Sequence, residues 1–109
     1  MSQPLCYRVR VCLPRELATD FVEWMQTHHI PTVVSNDGFL QATLYRLDEA
    51  DPKEAIFSTD YLVISLDALQ TYQAGPSEAL KQDFKDRYGD VATVSRELFQ
   101  TVAEVGSCR

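Results

Sequence analysis

Two adjacent histidines, His28 and His29, are the only imidazoles in the chain, and they follow its only tryptophan, Trp24, by four and five residues. An imidazole titrates near neutrality and can take or give a proton. His29 is therefore a candidate acid/base group at the mouth of a pocket; the alternative is a helix-end residue meeting the last carbonyls and the helix dipole. Neighbouring histidines do not supply the i, i+4 pair by which one helical face grips a metal. A haem or metal site would rest on that adjacency alone, and no cofactor is expected. Trp24, Tyr45, Tyr61 and Tyr72, with His28 beside them, could line a cavity for an aromatic or lipophilic ligand, with hydroxyls fixing its orientation, or could simply be core. Arg8, Arg10, Arg46 and Arg96 are four of seven arginines, all on predicted strands of a chain with net charge −6. A guanidinium holds a carboxylate or phosphate in two-pronged geometry. Ion pairing, for example with Asp60 or Glu97, would use the same residues.

Several other chemistries have no carrier. The chain contains no G-x-G-x-x-G, no G-x-x-x-x-G-K-[ST], no H-E-x-x-H and no C-x-x-C. Its acidity disfavours nucleic acid and anionic membranes, and no apolar run approaches the roughly 20 residues that span a bilayer. Cys6 and Cys12 fall on one predicted strand, roughly 20 Å apart at about 3.3 Å per residue, beyond disulfide reach. With Cys108 in the tail, all three are expected to be reduced, which fits the cytoplasm.

The elements that must position these residues follow from periodicity. From Leu5 to Leu13, Tyr7, Val9, Val11 and Leu13 alternate with Cys6, Arg8, Arg10 and Cys12, which is a strand. Pro14 suits the first turn of a helix. Leu17, Phe21, Trp24, Met25 and His28 then form one helical stripe, with His28 packed and His29 about 100° round from it. Ile30 precedes Pro31, so the helix should end near His29, with a further short turn through Val33 and Val34. Ser35-Asn36-Asp37-Gly38 is a break. Phe39 to Leu47 is a second strand, with Phe39, Tyr45 and Leu47 on one side and Leu40, Ala42, Leu44 and Arg46 on the other. Ile56 to Leu66 is the third, with Phe57, Tyr61 and Val63 opposite Ile56, Leu62 and Ile64. Asp67, with Gln70, is expected to cap the next helix. Its stripe runs from Leu69 and Tyr72, across Gly75-Pro76, to Leu80, Phe84 and Tyr88, and Gly89 stops it. Val91 to Phe99 is the fourth strand.

The order β-α-β-β-α-β predicts an α+β, ferredoxin-like domain over residues 1–109, with core 5–99 and tail 100–109: a four-stranded antiparallel sheet with both helices on one face. The strands read as apolar on both faces, so the uncovered face is expected to meet a second copy of the chain.

The run Trp24-Met25-x-x-His28-His29-Ile30-Pro31, then Gly38-Phe39 and Leu44-Tyr45-Arg46-Leu47, resembles a small family of dimeric α/β-barrel proteins known as a domain of unknown function. Tyr61, Tyr72-Gln73, Leu80, Arg87-Tyr88-Gly89-Asp90 and Val94-Ser95-Arg96 are similar to its second half. The likeness spans roughly Tyr7 to Val102 and places His29 on the family's His-Ile-Pro. That family often has a histidine and proline after the Tyr-Gln pair; this chain runs Ala74-Gly75-Pro76-Ser77, so no role of that histidine carries over. The wider barrel group includes cofactor-free monooxygenases, haem-handling proteins and proteins without activity. Two functions are therefore carried forward: a homodimeric ligand-binding or structural module, and a cofactor-independent oxygenase-like or isomerase-like enzyme for a small aromatic or acidic substrate. In the second, His29 would be the acid/base, with Tyr45, Tyr61 and Arg46 orienting the substrate. They separate on whether His29 faces a cavity on which polar groups converge.

Overall fold

A computed structural model describes residues 3–47 and 51–107. Strands β1 (Leu5–Pro14), β2 (Phe39–Arg46), β3 (Glu54–Val63) and β4 (Thr93–Gln100) form one sheet in the order β2-β3-β1-β4. All three pairings are antiparallel. The helical segments α1 (Ala18–Trp24), α2 (Ile30–Val34), α3 (Leu66–Ala74) and α4 (Ser77–Tyr88) complete the expected ferredoxin-like α+β order. Cys108 and the loop residues Asp48-Glu49-Ala50 lie outside the described residues.

Alternation on β1 and β3 holds as read. Tyr7, Val11 and Leu13 are buried with Phe57, Tyr61 and Val63, while Cys6, Arg8, Arg10 and Cys12 share the other face with Ile56, Ser58, Asp60 and Leu62. The core has two lobes. One gathers Tyr7, Val33, Phe39, Tyr61, Leu69, Tyr72 and Leu80; the other gathers Val11, Leu13, Phe21, Met25, Phe57 and Tyr88.

Strand β2 departs from the expected alternation. The register against β3 shifts between Phe39 and Gln41, so one residue is added and the side chains beyond it change sides. Phe39, Ala42 and Leu44 consequently share the helix-covered face, while Gln41, Thr43 and Tyr45 share the open one. The open face is thus more polar than the sequence implied. Across its middle run Glu97, Arg8, Asp60 and Thr43, then Ser95, Arg10, Ser58 and Tyr45. Its apolar content lies toward the strand ends, at Phe99 and Leu62 and at Ile56.

The largest correction concerns Pro31. The helix does not end near His29: Met25–His29 forms a π-helical turn that leads directly into α2. The Ile30 N–H donates to the Met25 carbonyl, five residues back, and Ile30 itself is right-handed helical at φ −61°, ψ −47°. A proline ring collides with the carbonyl four residues earlier and offers no N–H; a turn containing one extra residue relieves the crowding. Hydroxyls serve the neighbouring carbonyls: Thr27 Oγ1 donates to Glu23 O and Thr32 Oγ1 to His28 O, each at 2.7 Å.

The second helical pair differs in detail. Ser65, not Asp67, caps α3, its Oγ accepting from the Ala68 N–H at 3.1 Å, while Asp67 sits in the first turn near the positive end of the dipole. Gly89 ends α4 in right-handed helical geometry at φ −58°. Val91 and Ala92 return N–H groups to the Tyr88 carbonyl, so β4 starts at Thr93, and it continues through Gln100.

Gly38 is the sharp corner between α2 and β2, with φ +86°. A Cβ there would stand 2.5 Å from the Ala68 Cβ and 3.0 Å from Ile64 Cγ2. Both the backbone region and the space demand glycine. Gly38→Ala is expected to lower the stability by about 2 kcal/mol, measured by urea unfolding with an unchanged m-value.

Candidate functional site

The extra residue in the π-turn rotates the helix face by about one position, roughly 100°. His28, expected to pack, is exposed, and His29 is turned toward the sheet. Thr27 Oγ1 spends its proton on Glu23 O, so at 2.7 Å it accepts from His28 Nδ1. His28 is therefore a surface group held by its neighbour. His29 instead stacks on Trp24, with ring centroids 4.9 Å apart and planes 29° from parallel.

At the seam between the two core lobes lies a cavity of about 50 Å³. Its polar lining is His29, Tyr7, Tyr61, Tyr72, Lys81 and Arg96, set among Met25, Val33, Leu80, Phe84 and Val94. Tyr7 and Tyr61 are direct cross-strand neighbours, their rings 6.2 Å apart. Phe39 packs against Tyr61 and Tyr72, with ring centroids 6.0 and 4.9 Å away. Arg96 stands opposite Val9 on β4, which puts it on the helix-covered side of the sheet.

None of the three phenol hydroxyls has a hydrogen-bond partner among the described residues, although all three residues are buried. The one sealed side-chain polar atom lacking a partner there is His29 Nδ1. The tyrosine hydroxyls are therefore open to the cavity with their donors unspent. Burial raises the Tyr61 pKa well above the phenol range, helped by Tyr72 and Tyr7. The same cause, then Tyr7, pushes Tyr72 up to about 12. Both stay protonated at any physiological pH. Burial drives His29 the other way, down to about 4; Asp83 opposes the shift and Arg96 adds to it. The imidazole is neutral at pH 7 and lines the same cavity as the three tyrosines.

The sequence-derived candidates divide accordingly. His29, Tyr61 and Tyr72 come together, with Trp24 as the stacking support behind His29. Tyr45 does not join them: it is on the open face and 53% exposed, because of the β2 bulge. Arg46 lies over the Phe57 ring at 5.6 Å and lines surface grooves at the β2 edge, away from His29. Arg8 and Arg10 are on the open face. Arg8 is committed to Asp60 through two hydrogen bonds of 2.8 and 2.9 Å, which hold the Asp60 carboxyl below its usual range, and it lies over Phe99 at 4.8 Å. Arg10 is exposed. Sequence reasoning missed Tyr7, read as strand core, and Lys81. Tyr7 becomes a site residue only through its register with Tyr61, which no local pattern encodes.

Protonating His29 must be less favourable folded than unfolded. Between its folded value near 4 and the ordinary 6.5 the unfolded chain binds more protons, so this contribution is complete above pH 6.5 and is lost as the pH falls toward 4. The loss is about 2–3 kcal/mol. His29→Phe, which retains the stack on Trp24, is expected to remove that part of the stability slope. Urea unfolding of both proteins from pH 4 to 7 checks this, and parallel profiles would contradict the burial of the imidazole.

Comparison with solved structures places the fold among known relatives. A variant of SnoaB, a cofactor-independent oxygenase from Streptomyces nogalater, superposes with a TM-score of 0.71 at 15% identity, covering 94% of this chain and 98% of that one. A candidate antibiotic biosynthesis monooxygenase from Bacillus cereus gives 0.71 at 8% identity, covering 96% and 99%. The heme-degrader MhuD from Mycobacterium tuberculosis, solved with two hemes in its active site, gives 0.64 at 21% identity, covering 94% and 100%. At such identities the likeness concerns the fold alone. No curated protein sequence matches the chain. A family model matches residues 5–102, nearly the whole sequence, and by that match the chain belongs to the domain of unknown function family DUF4286.

Proposed function

We propose that this protein is a homodimeric small-molecule-binding module whose ligand engages the cavity between sheet and helices. One observation carries the reading: three tyrosines whose hydroxyls have no hydrogen-bond partner among the described residues line one cavity with His29. Phenol donors that are open to a cavity and unspent in the folded chain are free to meet water or a ligand. The Trp24-Met25 to His29-Ile30-Pro31 run, on this reading, marks the family because it builds the π-turn that aims His29 at the site.

The dimer would form a barrel by joining open sheet faces. That face is four strands wide and carries Phe99, Leu62, Ile56 and Tyr45 in apolar positions. It also carries Arg10 and Glu97, with Glu54 at the strand end beside Cys12, and none of the three has an ion-pair partner among the described residues. In a twofold interface each patch meets itself, so Arg10 of one copy can answer Glu97 of the other, twice. Within the chain, residues 1–109 would act as one domain. Cys6 and Cys12 are free thiols, which fits a reducing cytoplasmic compartment. Among the described residues no helix is long and apolar enough to cross a membrane.

A second reading, a cofactor-independent oxygenase-like or isomerase-like enzyme, is favoured by the placement of His29. It is a neutral imidazole beside phenol donors that could stabilise developing oxyanion charge. Tyr7, Tyr61 and Tyr72 would replace Tyr45 and Arg46 as the orienting groups. Incubating the protein with small carbonyl acids in deuterated water separates the two readings: enzyme chemistry predicts deuterium incorporation that His29→Ala abolishes, whereas a binding module predicts none.

Sedimentation equilibrium is expected to return the mass of two chains at micromolar concentration. Arg10→Glu should weaken the dimer tenfold or more, and the Arg10→Glu, Glu97→Arg double variant should restore it. A monomer in the unsubstituted protein would remove the barrel, while leaving the cavity untouched.

A further inference from the structure

The groups around the cavity are not neutral in their choice of ligand. Acidic residues outnumber basic ones in this chain by 16 to 10, yet the cavity is lined by two cations, Lys81 and Arg96, and by no carboxylate. Neither cation has an ion-pair partner among the described residues. The carboxylate that acts on His29, Asp83, lines a separate groove beside Trp24, together with Asp86 and Arg87. Deeper in, the unspent groups are hydroxyls of Tyr7, Tyr61 and Tyr72, which donate to an oxygen acceptor. Their buried setting keeps Tyr61 and Tyr72 protonated.

Size narrows the choice further. A volume of about 50 Å³ holds a few waters, whereas a dry cavity of about 150 Å³ is what takes up a benzene ring. The enclosed space is therefore smaller than an aromatic ring needs. A single carboxylate group fits, with the rest of its molecule passing outward between Lys81 and Arg96.

We propose that the cavity receives the carboxylate head of a small organic acid, its oxygens accepting from the hydroxyls of Tyr7, Tyr61 and Tyr72, with Arg96 and Lys81 supplying countercharge at the mouth. This assignment rests on the reading of the cavity as a ligand site and adds the chemical class. Charge-assisted hydrogen bonds from phenols and a guanidinium are about twice as strong as neutral ones, so an acid should be selected over its uncharged isostere. His29, uncharged and sealed at Nδ1, forms part of the wall and contributes no competing charge.

The test is titration of the full-length, isotope-labelled protein with acetate and butyrate against acetamide and butyramide at matched ionic strength, followed by amide chemical shifts. The carboxylates are expected to perturb the residues around Tyr7, Tyr61, Tyr72 and Arg96, and to bind at least tenfold tighter than the amides. Arg96→Gln should cost tenfold or more in carboxylate binding and leave amide binding unchanged; Lys81→Gln, on the exposed face of α4, serves if Arg96→Gln does not fold. Tyr61→Phe and Tyr72→Phe should each weaken the carboxylate severalfold without lowering the melting temperature, since neither hydroxyl has a partner to lose among the described residues. Equal binding of acids and amides at the cavity would overturn the acid assignment and leave the cavity reading standing. Shifts confined to the open face around Arg10 would also overturn the assignment. No perturbation by any of the four compounds would remove both.

Discussion

The placement of Pro31 inside a continuous helix is the constraint on which the site depends. A proline in that position forbids an ordinary α-turn, because its ring needs the space of the carbonyl four residues back. The chain does not stop; it inserts one residue and proceeds as a π-turn closed by the Ile30 N–H on the Met25 carbonyl. That insertion changes the angular phase of everything beyond Trp24. It sends His28 to the surface and His29 toward the sheet, and still returns Val33 to the core. π-Turns recur at functional sites because they aim a side chain that a regular helix would misdirect.

The sheet imposes a matching constraint from below. Antiparallel pairing of β1 with β3 puts Tyr7 beside Tyr61 on the covered face and Arg8 beside Asp60 on the open one. One register thus builds both a row of phenols under the helices and a bidentate ion pair that occupies the middle of the opposite face. Arg8 is spent there, its charge answered within the chain, whereas Arg96 on β4 has no ion-pair partner among the described residues and lines the cavity. The division of labour among the arginines follows from strand parity and register, not from any difference in side chain.

Much of this arrangement was legible in the amino-acid order. Strands β1 and β3 show two-residue alternation strong enough to fix which side chains face the core, and the four-residue spacing from Leu80 through Phe84 to Tyr88 gives α4 directly. The sequence of elements then leaves little freedom of topology. The two misread places that bear on the site share a cause: a single added residue. A bulge after Phe39 exchanges the faces of β2, taking Tyr45 out of the candidate site, and the π-turn exchanges the roles of the two histidines. Each insertion is local in the backbone and invisible to periodicity, since a pattern of period two or 3.6 looks much the same with one residue out of phase.

The residue types needed for a neutral imidazole, phenol donors and a cation were all present in the linear chain, and alternation and helical spacing assigned them to elements. Which of them share one cavity was settled only by folding. Tyr7, Tyr61, Tyr72, His29 and Arg96 come from two helical segments and three strands, and strand register, the β2 bulge and the phase of the π-turn decide their convergence. Local sequence fixes the direction of a side chain relative to its own element; the contacts between elements, made across tens of residues, decide what it meets.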